Sequence, residues 1–294
     1  MSAWRPEWDE AAREGRGGGV QIGPVSVPKW TKRLLIANAV IWLVLYLAGD
    51  LGWRISGALA VNPSWWWADP PHLPLWQLVT YGLVHDLSGA GHLLFNSISL
   101  FFFGSMLERA VGGRRFLLVY GGAVLLGGVL HAVLSPVGVE LVPGPGGAEV
   151  ATGPFLGPMV GASGAIMACI VASAMLFPRS QILLLFIPVP LWVGAAILVT
   201  LDLLGFARIG GTVAHHVHLA GALLGFLYIK LGWHHRKVPN PVAVVAEKRR
   251  EAEQRGLARD DERMDALLAK ISREGMSALT QAEKDFLKRM SQRR

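Results

Sequence analysis

Six apolar runs punctuate the chain, at residues 34–50, 90–107, 116–134, 161–177, 181–204 and 214–232. Each is close to the roughly 20 residues a helix needs to cross a hydrocarbon core of about 30 Å. Since only helices and closed barrels satisfy every backbone group in lipid, the pattern predicts six membrane-spanning helices. The second and sixth runs are the most interrupted by polar side chains. Between the first two runs lies a segment of unusual character, with Trp65, Trp66, Trp67 and Trp76 set among Pro63, Pro70, Pro71 and Pro74. Tryptophans at this density suit the headgroup region, so this segment is expected to lie in the membrane surface. The 135–160 connection, with Pro136, Gly138, Pro143, Gly144, Pro145, Gly146 and Gly147, reads as a flexible loop with turn chemistry.

Beyond Pro241 the periodicity becomes that of a soluble helix. Met264, Leu267, Leu268 and Ile271 fall at i, i+3, i+4 and i+7 on one face, and Gly275 breaks the pattern. Thr280 and Glu283 then have capping-box spacing before Phe286, Leu287 and Met290. The expected organisation is a flexible arm at 1–28, a membrane domain at 29–236 and a helical cytoplasmic tail at 237–294.

Charge sharpens this picture. Hydrophobic residues make up 52% of 294, and only 13 of the 49 Asp, Glu, Lys and Arg residues lie between Leu34 and Ile229. Lys29, Lys32 and Arg33, then Arg109, Arg114 and Arg115, then Arg179, then Lys230, Arg236 and Lys237 flank alternate ends of the runs. The other connections hold only Arg54 and Arg208 among their basic residues. By the positive-inside rule both termini are cytoplasmic, and the 51–89, 135–160 and 205–213 connections face outside. Topology therefore accounts for the net charge of +7, and no nucleic-acid partner is expected. Residues 1–28 hold no apolar run that could act as a secretory signal, so no cleavage is expected there. The lone Cys169 excludes an intramolecular disulfide framework and any Cys-rich metal site.

Polar groups inside apolar helices cost free energy and are functional candidates by default. His92 and Asn96 are four apart, hence on one face, and both can donate hydrogen bonds. They suit an oxyanion hole, or equally an interhelical hydrogen bond that holds the bundle together. Ser163 lies in Gly161-Ala162-Ser163-Gly164, where small neighbours expose a hydroxyl at a helix start beside an unsatisfied N–H. The bland alternative is a packing stripe, since Gly164, Ala168 and Ala172 recur every four residues. His218 precedes the Gly221/Gly225 pair. If that small-residue face meets the stripe after Ser163, the imidazole can take the serine's proton. His215 and His216 read as loop or water-channel residues.

Taken together, these residues resemble the rhomboid family of intramembrane serine proteases. The similarity rests on Gly161-Ala162-Ser163-Gly164, on His92-x-x-x-Asn96 and on His218-Leu219-Ala220-Gly221. Trp76-Gln77-Leu78-Val79-Thr80-Tyr81 with His85, and Gly104-x-x-x-Glu108-Arg109-x-x-Gly112, extend it across about residues 30–235. The tail resembles a small extension found on some bacterial members.

The resemblance implies an all-α six-helix bundle with a short central fourth helix and a cavity open to the outer side. It also implies a catalytic pair, Ser163 as nucleophile and His218 as base, with His92, Asn96 and the Ser163 N–H as oxyanion donors. No third acidic member is implied, and Asp202 in the fifth run is assigned no catalytic role. No cofactor and no metal are expected. The implied partners are transmembrane-helix substrates cut near the outer face, and membrane lipids. The Gly, Ala, Arg and Trp richness with a compact six-span plan suggests a bacterial cytoplasmic membrane, with an organellar membrane as the alternative. Two departures stand out: Met167 where many members have an aromatic residue, and Gln77 where an arginine is common. The competing readings are a non-cleaving escort of membrane clients and a histidine-lined proton path.

Overall fold

The computed structural model describes residues 26–67, 73–134, 140–143, 149–152, 157–184, 187–207, 214–235 and 241–292. The arm to residue 25, the loop residues Pro70, Pro71, Pro136, Gly138 and Gly144 to Gly147, and the flanking charges Arg208, Arg236 and Lys237 lie outside these. The chain divides into two units, Met1–Arg236 and Lys237–Arg294.

In the first unit, α1 (Lys29–Leu47) begins on an internal cap. The buried carboxylate of Glu108 accepts bonds from the Trp30 N–H (3.0 Å), the Thr31 N–H (2.7 Å) and the Thr31 hydroxyl (2.8 Å). These are first-turn donors that the helix cannot satisfy itself. Ile36, Val40, Leu43, Val44 and Leu47 face outward and are at least half exposed. An apolar stripe on the outside inverts the pattern of a water-soluble helix and suits contact with lipid chains.

Three short helices follow: α2 (Asp50–Leu59), α3 (Pro63–Trp67) and α4 (Gln77–Thr80). Gln77 is fully buried and organises this segment. Its carbonyl accepts from the Asn62 N–H (3.1 Å) and the Trp66 indole (3.0 Å), and its amide donates to the Ala58 carbonyl (3.2 Å). A neutral side chain with both donors and an acceptor meets this demand without burying a charge.

The next helical run is α5 (Gly91–Ser99), a π turn (Leu100–Gly104) and α6 (Ser105–Val111) without a break. It leads through Gly112 into α7 (Gly113–Leu134). Then come α8 (Ser163–Leu176), buried along most of its length and including the fully buried Cys169, α9 (Leu191–Ala207) and α10 (His215–Lys230). By length and apolarity alone, Lys29–Leu47 and Gly113–Leu134 could each cross a bilayer, whereas Ser163–Leu176 and Leu191–Phe206 are shorter apolar helices.

Two segments differ from expectation. The 135–160 connection contains an antiparallel hairpin, β1 (Glu140–Pro143) against β2 (Glu149–Thr152). Its β-prone ends flank a Gly- and Pro-rich stretch of sequence, which the turn-like composition had masked. The run at 181–204 is also not helical throughout. Residues Gln181–Leu184 (β3) and Ile187–Pro190 (β4) pair as a hairpin, and the helix starts only at Leu191. Pro188 and Pro190 lack the N–H a helix interior requires, a fact that hydropathy does not register.

The second unit consists of α11 (Pro241–Glu274) and α12 (Gln281–Gln292), with Gly275 in the left-handed region (φ 78°). Leu267, Leu279 and Phe286 are buried, with Met264, Ile271, Leu287 and Met290 packed around them. Leu268, expected on the same face, is 52% exposed. Leu279 from the connector supplies the apolar contact instead, and the 12-residue α12 covers only a narrow stripe. The capping box forms: Glu283 Oε2 accepts from the Thr280 N–H (2.7 Å) and hydroxyl (2.9 Å).

Candidate active site

The segment leading into α8 is fixed before Ser163 is reached. Val61 and Met159 exchange backbone hydrogen bonds of 3.1 and 2.9 Å, and the Gly161 N–H donates to the Tyr81 carbonyl (2.9 Å). Gly161 has φ +114°, and a Cβ there would come within 2.7 Å of the His92 ring, so conformation and space both require glycine. The first bond of the helix runs from the Ile166 N–H to the Ala162 carbonyl, which leaves the N–H groups of Ser163, Gly164 and Ala165 unused by the helix.

α10 lies against α8 at backbone contact. A Cβ on Gly221 would stand 1.9 Å from the Gly164 carbonyl oxygen, and one on Gly225 would stand 2.3 Å from that of Ala168. The two small-residue faces therefore meet. One turn before Gly221, His218 Nε2 lies 2.7 Å from Ser163 Oγ.

α5 brings the second pair to the same place. The Asp86 N–H donates to His92 Nδ1 at 3.4 Å, so Nδ1 carries the lone pair and Nε2 the hydrogen. That Nε2 faces the backbone at Gly161, beside the serine. Asn96 is buried and gives one amide hydrogen to the His92 carbonyl (2.8 Å), leaving the other for a ligand. His85, in the connection before α5, packs edge-on at 5.2 Å to the His92 ring. Burial and the neighbouring His92 push its pKa down to about 4, so it adds no charge to the site at neutral pH.

A cavity of about 690 Å³ is lined by His92, Asn96, Ser163 and His218, with Tyr81 and His131 among its other walls. A smaller cleft of about 290 Å³, walled by Phe95, Met167, Leu198 and Leu201, reaches the same serine and histidine.

Two placements go beyond what the sequence shows. Asp202, given no catalytic role because nothing in the sequence places it beside His218, lies with Oδ1 2.9 Å from His218 Nδ1 and 2.7 Å from His215 Nδ1. A lone carboxylate in an otherwise apolar helix needs a partner, and that signal was present in the sequence. What was missing was the reach across residues 208–213 to the histidines of α10. His215 and His216, read as loop or water-channel residues, form the first turn of α10, and His216 lines the cavity. His216 is buried, with its Nε2 3.0 Å from His131 Nδ1, and His131 Nε2 is 3.0 Å from the Gly157 carbonyl. No spacing rule links His131 to His216, 85 residues apart.

Asp202, His215 and His218 place donor atoms within 4.8 Å of one another, as a metal site would. Yet both ring nitrogens stand at hydrogen-bonding distance from a single oxygen. Ligands of a shared zinc ion would each point at a common centre about 2.0–2.2 Å away. The contacts are those of two N–H donors on one carboxylate oxygen.

The sequence profile described as the Rhomboid domain matches residues 72–235, more than half of the chain. The chain belongs to the rhomboid family. Among rhomboid relatives, YdcA of Bacillus subtilis is 38% identical over 109 residues, covering 35% of this chain and 49% of that protein. Rhomboid protein 1 of Saccharomyces cerevisiae mitochondria is 29% identical over 162 residues, 54% of this chain and 40% of that one. Rhomboid protease GluP of Bacillus subtilis is 30% identical over 152 residues, 51% and 25% of the two chains. The chain thus spans about half or less of the length of these curated relatives.

As a rhomboid, it is an integral membrane protein built mainly of helices. Residues 253–293 match a separate family of unknown function, DUF6576. Within the rhomboid domain, the two departures have local explanations. Gln77 meets its neighbours through neutral hydrogen bonds, and Met167 is buried one turn after Ser163, where a flexible thioether fills the space beside the site.

Proposed function

We propose that this rhomboid is an intramembrane serine endopeptidase that cuts transmembrane substrates near the outer membrane face. The single observation carrying the reading is the 2.7 Å contact of Ser163 Oγ with His218 Nε2 at the wall of a cavity large enough for water and a strand of substrate backbone. His218 Nε2 takes the hydroxyl proton as Ser163 Oγ attacks the scissile carbonyl. The tetrahedral oxygen is met by the Ser163 N–H, by His92 Nε2–H and by the remaining Asn96 amide hydrogen. The proton then passes from His218 to the leaving amine as the C–N bond breaks. Water, deprotonated by the same nitrogen, attacks the acyl-enzyme, and the regenerated hydroxyl leaves with the proton that His218 had taken.

The topology that accompanies this reading has six spans and both termini in the cytoplasm of a bacterial cell, with the site opening outward. A transmembrane helix must unwind for its backbone to reach Ser163, so substrates with small or helix-breaking residues at the cut are favoured. The test is labelling with a fluorophosphonate and mass mapping of the adduct, together with cleavage of a model transmembrane substrate. Ser163→Ala and His218→Ala each abolish cleavage while the purified protein keeps its helicity and melting temperature. Cleavage at the wild-type rate by Ser163→Ala, or an adduct on a different residue, would refute the proposal.

A further inference from the structure

The geometry points to Asp202 as a positioning residue that completes a Ser163–His218–Asp202 relay. This inference rests on the reading of Ser163 and His218 given above and adds a member to it. A carboxylate oxygen can only accept, so the 2.9 Å contact puts a hydrogen on His218 Nδ1. A neutral imidazole has one N–H, so Nε2 is left with its lone pair aimed at Ser163 Oγ, 2.7 Å away. Asp202 thereby selects the tautomer that can act as base, and it faces the positive charge that appears on the ring when Nε2 takes the proton.

The carboxylate is itself held. His215 Nδ1 donates to the same Oδ1 at 2.7 Å. The His215 ring lies against Gly205, one turn after Asp202 on α9, where a Cβ would come within 2.3 Å of the ring nitrogen. A glycine at that position gives the His215 ring its seat, and the seated ring fixes the rotamer of the acid. Asp202 is 8% exposed, so little water competes for these bonds.

A role limited to tying α9 to α10 would lower the yield of folded protein and leave each folded site at full speed. A positioning role lowers the speed itself. The experiment therefore measures Asp202→Asn in the full chain, in detergent or liposomes, with sites counted by fluorophosphonate stoichiometry. We expect kcat per titrated site to fall about 10- to 100-fold, the worth of one hydrogen bond to a charged partner, with KM unchanged. The rate of fluorophosphonate labelling should fall in parallel.

A second measurement needs no variant at position 202. In protein with 15N-labelled histidine, the His218 Nδ1–H should give a far-downfield proton signal that His218→Ala removes. Should Asp202→Asn fail to fold, this signal alone decides: its presence supports the relay and its absence rejects it. A kcat within twofold of wild type for Asp202→Asn overturns the inference, and the serine–histidine reading then stands or falls separately on Ser163→Ala. Loss of wild-type activity on treatment with a chelator, restored by zinc, would also overturn it, because the three side chains would then be metal ligands.

Discussion

Replacing Gly221 with alanine tests how closely the chemistry depends on backbone contact between two helices. The added Cβ would stand 1.9 Å from the Gly164 carbonyl oxygen, whereas separations below 3.0 Å are essentially never seen for real Cβ atoms. The obstacle is backbone, so no side-chain rotation relieves it, and α10 must move away from α8 by about 1 Å. Gly164 adjoins Ser163, and His218 sits one turn from Gly221, so nearly all of this displacement reaches the pair. A 2.7 Å bond lengthened by that amount passes out of the range of a good hydrogen bond.

Misplacement by about 1 Å costs on the order of 10²-fold in rate, and overpacking costs about 1–3 kcal/mol in stability. The assay is kcat per titrated site on a model transmembrane substrate, paired with thermal melting. Gly225→Ala is the control. Its Cβ would meet the Ala168 carbonyl at 2.3 Å, a similar clash, but seven residues, or about 10 Å along the axis, from His218. It should lose comparable stability with a smaller loss of kcat. A folded Gly221→Ala with kcat within threefold of wild type would refute the argument, as would equal rate losses in the two variants.

Glu108→Ala should lower stability by about 2–4 kcal/mol, because it leaves two N–H groups and a hydroxyl at the start of α1 without their acceptor. Glu108→Gln, which keeps an acceptor oxygen, should lose less; thermal melting of both variants checks the order. In the tail, the Thr280 N–H first, then its hydroxyl and the Lys270 ammonium, hold the Glu283 carboxyl at about 2, below its ordinary 4.5. A depressed acid contributes stability that is complete above about 4.5 and lost as pH falls through about 2. Titrating the 13C-labelled Glu283 carboxyl by NMR should give a midpoint near 2, and Thr280→Ala should raise it toward 4.5. An ordinary midpoint in the wild type would discard the capping role.

What the sequence made legible was local or periodic. The meeting of α8 and α10 could be read because Gly164/Ala168 and Gly221/Gly225 each mark a face where nothing but backbone can be approached. The Thr280–Glu283 cap could be read because both partners lie within one turn. The juxtaposition of Ser163 with His218 followed from the same face-to-face logic. Asp202 and His131 escaped because their partners lie on other helices, with no repeat or spacing to connect them. The β3–β4 hairpin escaped because hydropathy scores Ile and Val alike in strand and helix, and only Pro188 and Pro190 spoke against the helix. The proton on His92 could be assigned only once the Asp86 backbone was seen to donate to its ring.

The π turn at Leu100–Gly104 makes the length of its helix part of the site's construction. Such a turn accommodates one surplus residue, and each residue of an α-helix carries about 100° of rotation. With Glu108 fastened below to the start of α1, excising a single residue would tighten the coil and swing the His92 and Asn96 side of α5 by more than a quarter of a revolution, away from the serine. This stretch acts as a phase adjuster between the Glu108 anchor at one end of the helical run and the His92 and Asn96 donors at the other. Insertions and deletions that connecting loops would absorb silently are here changes of aim.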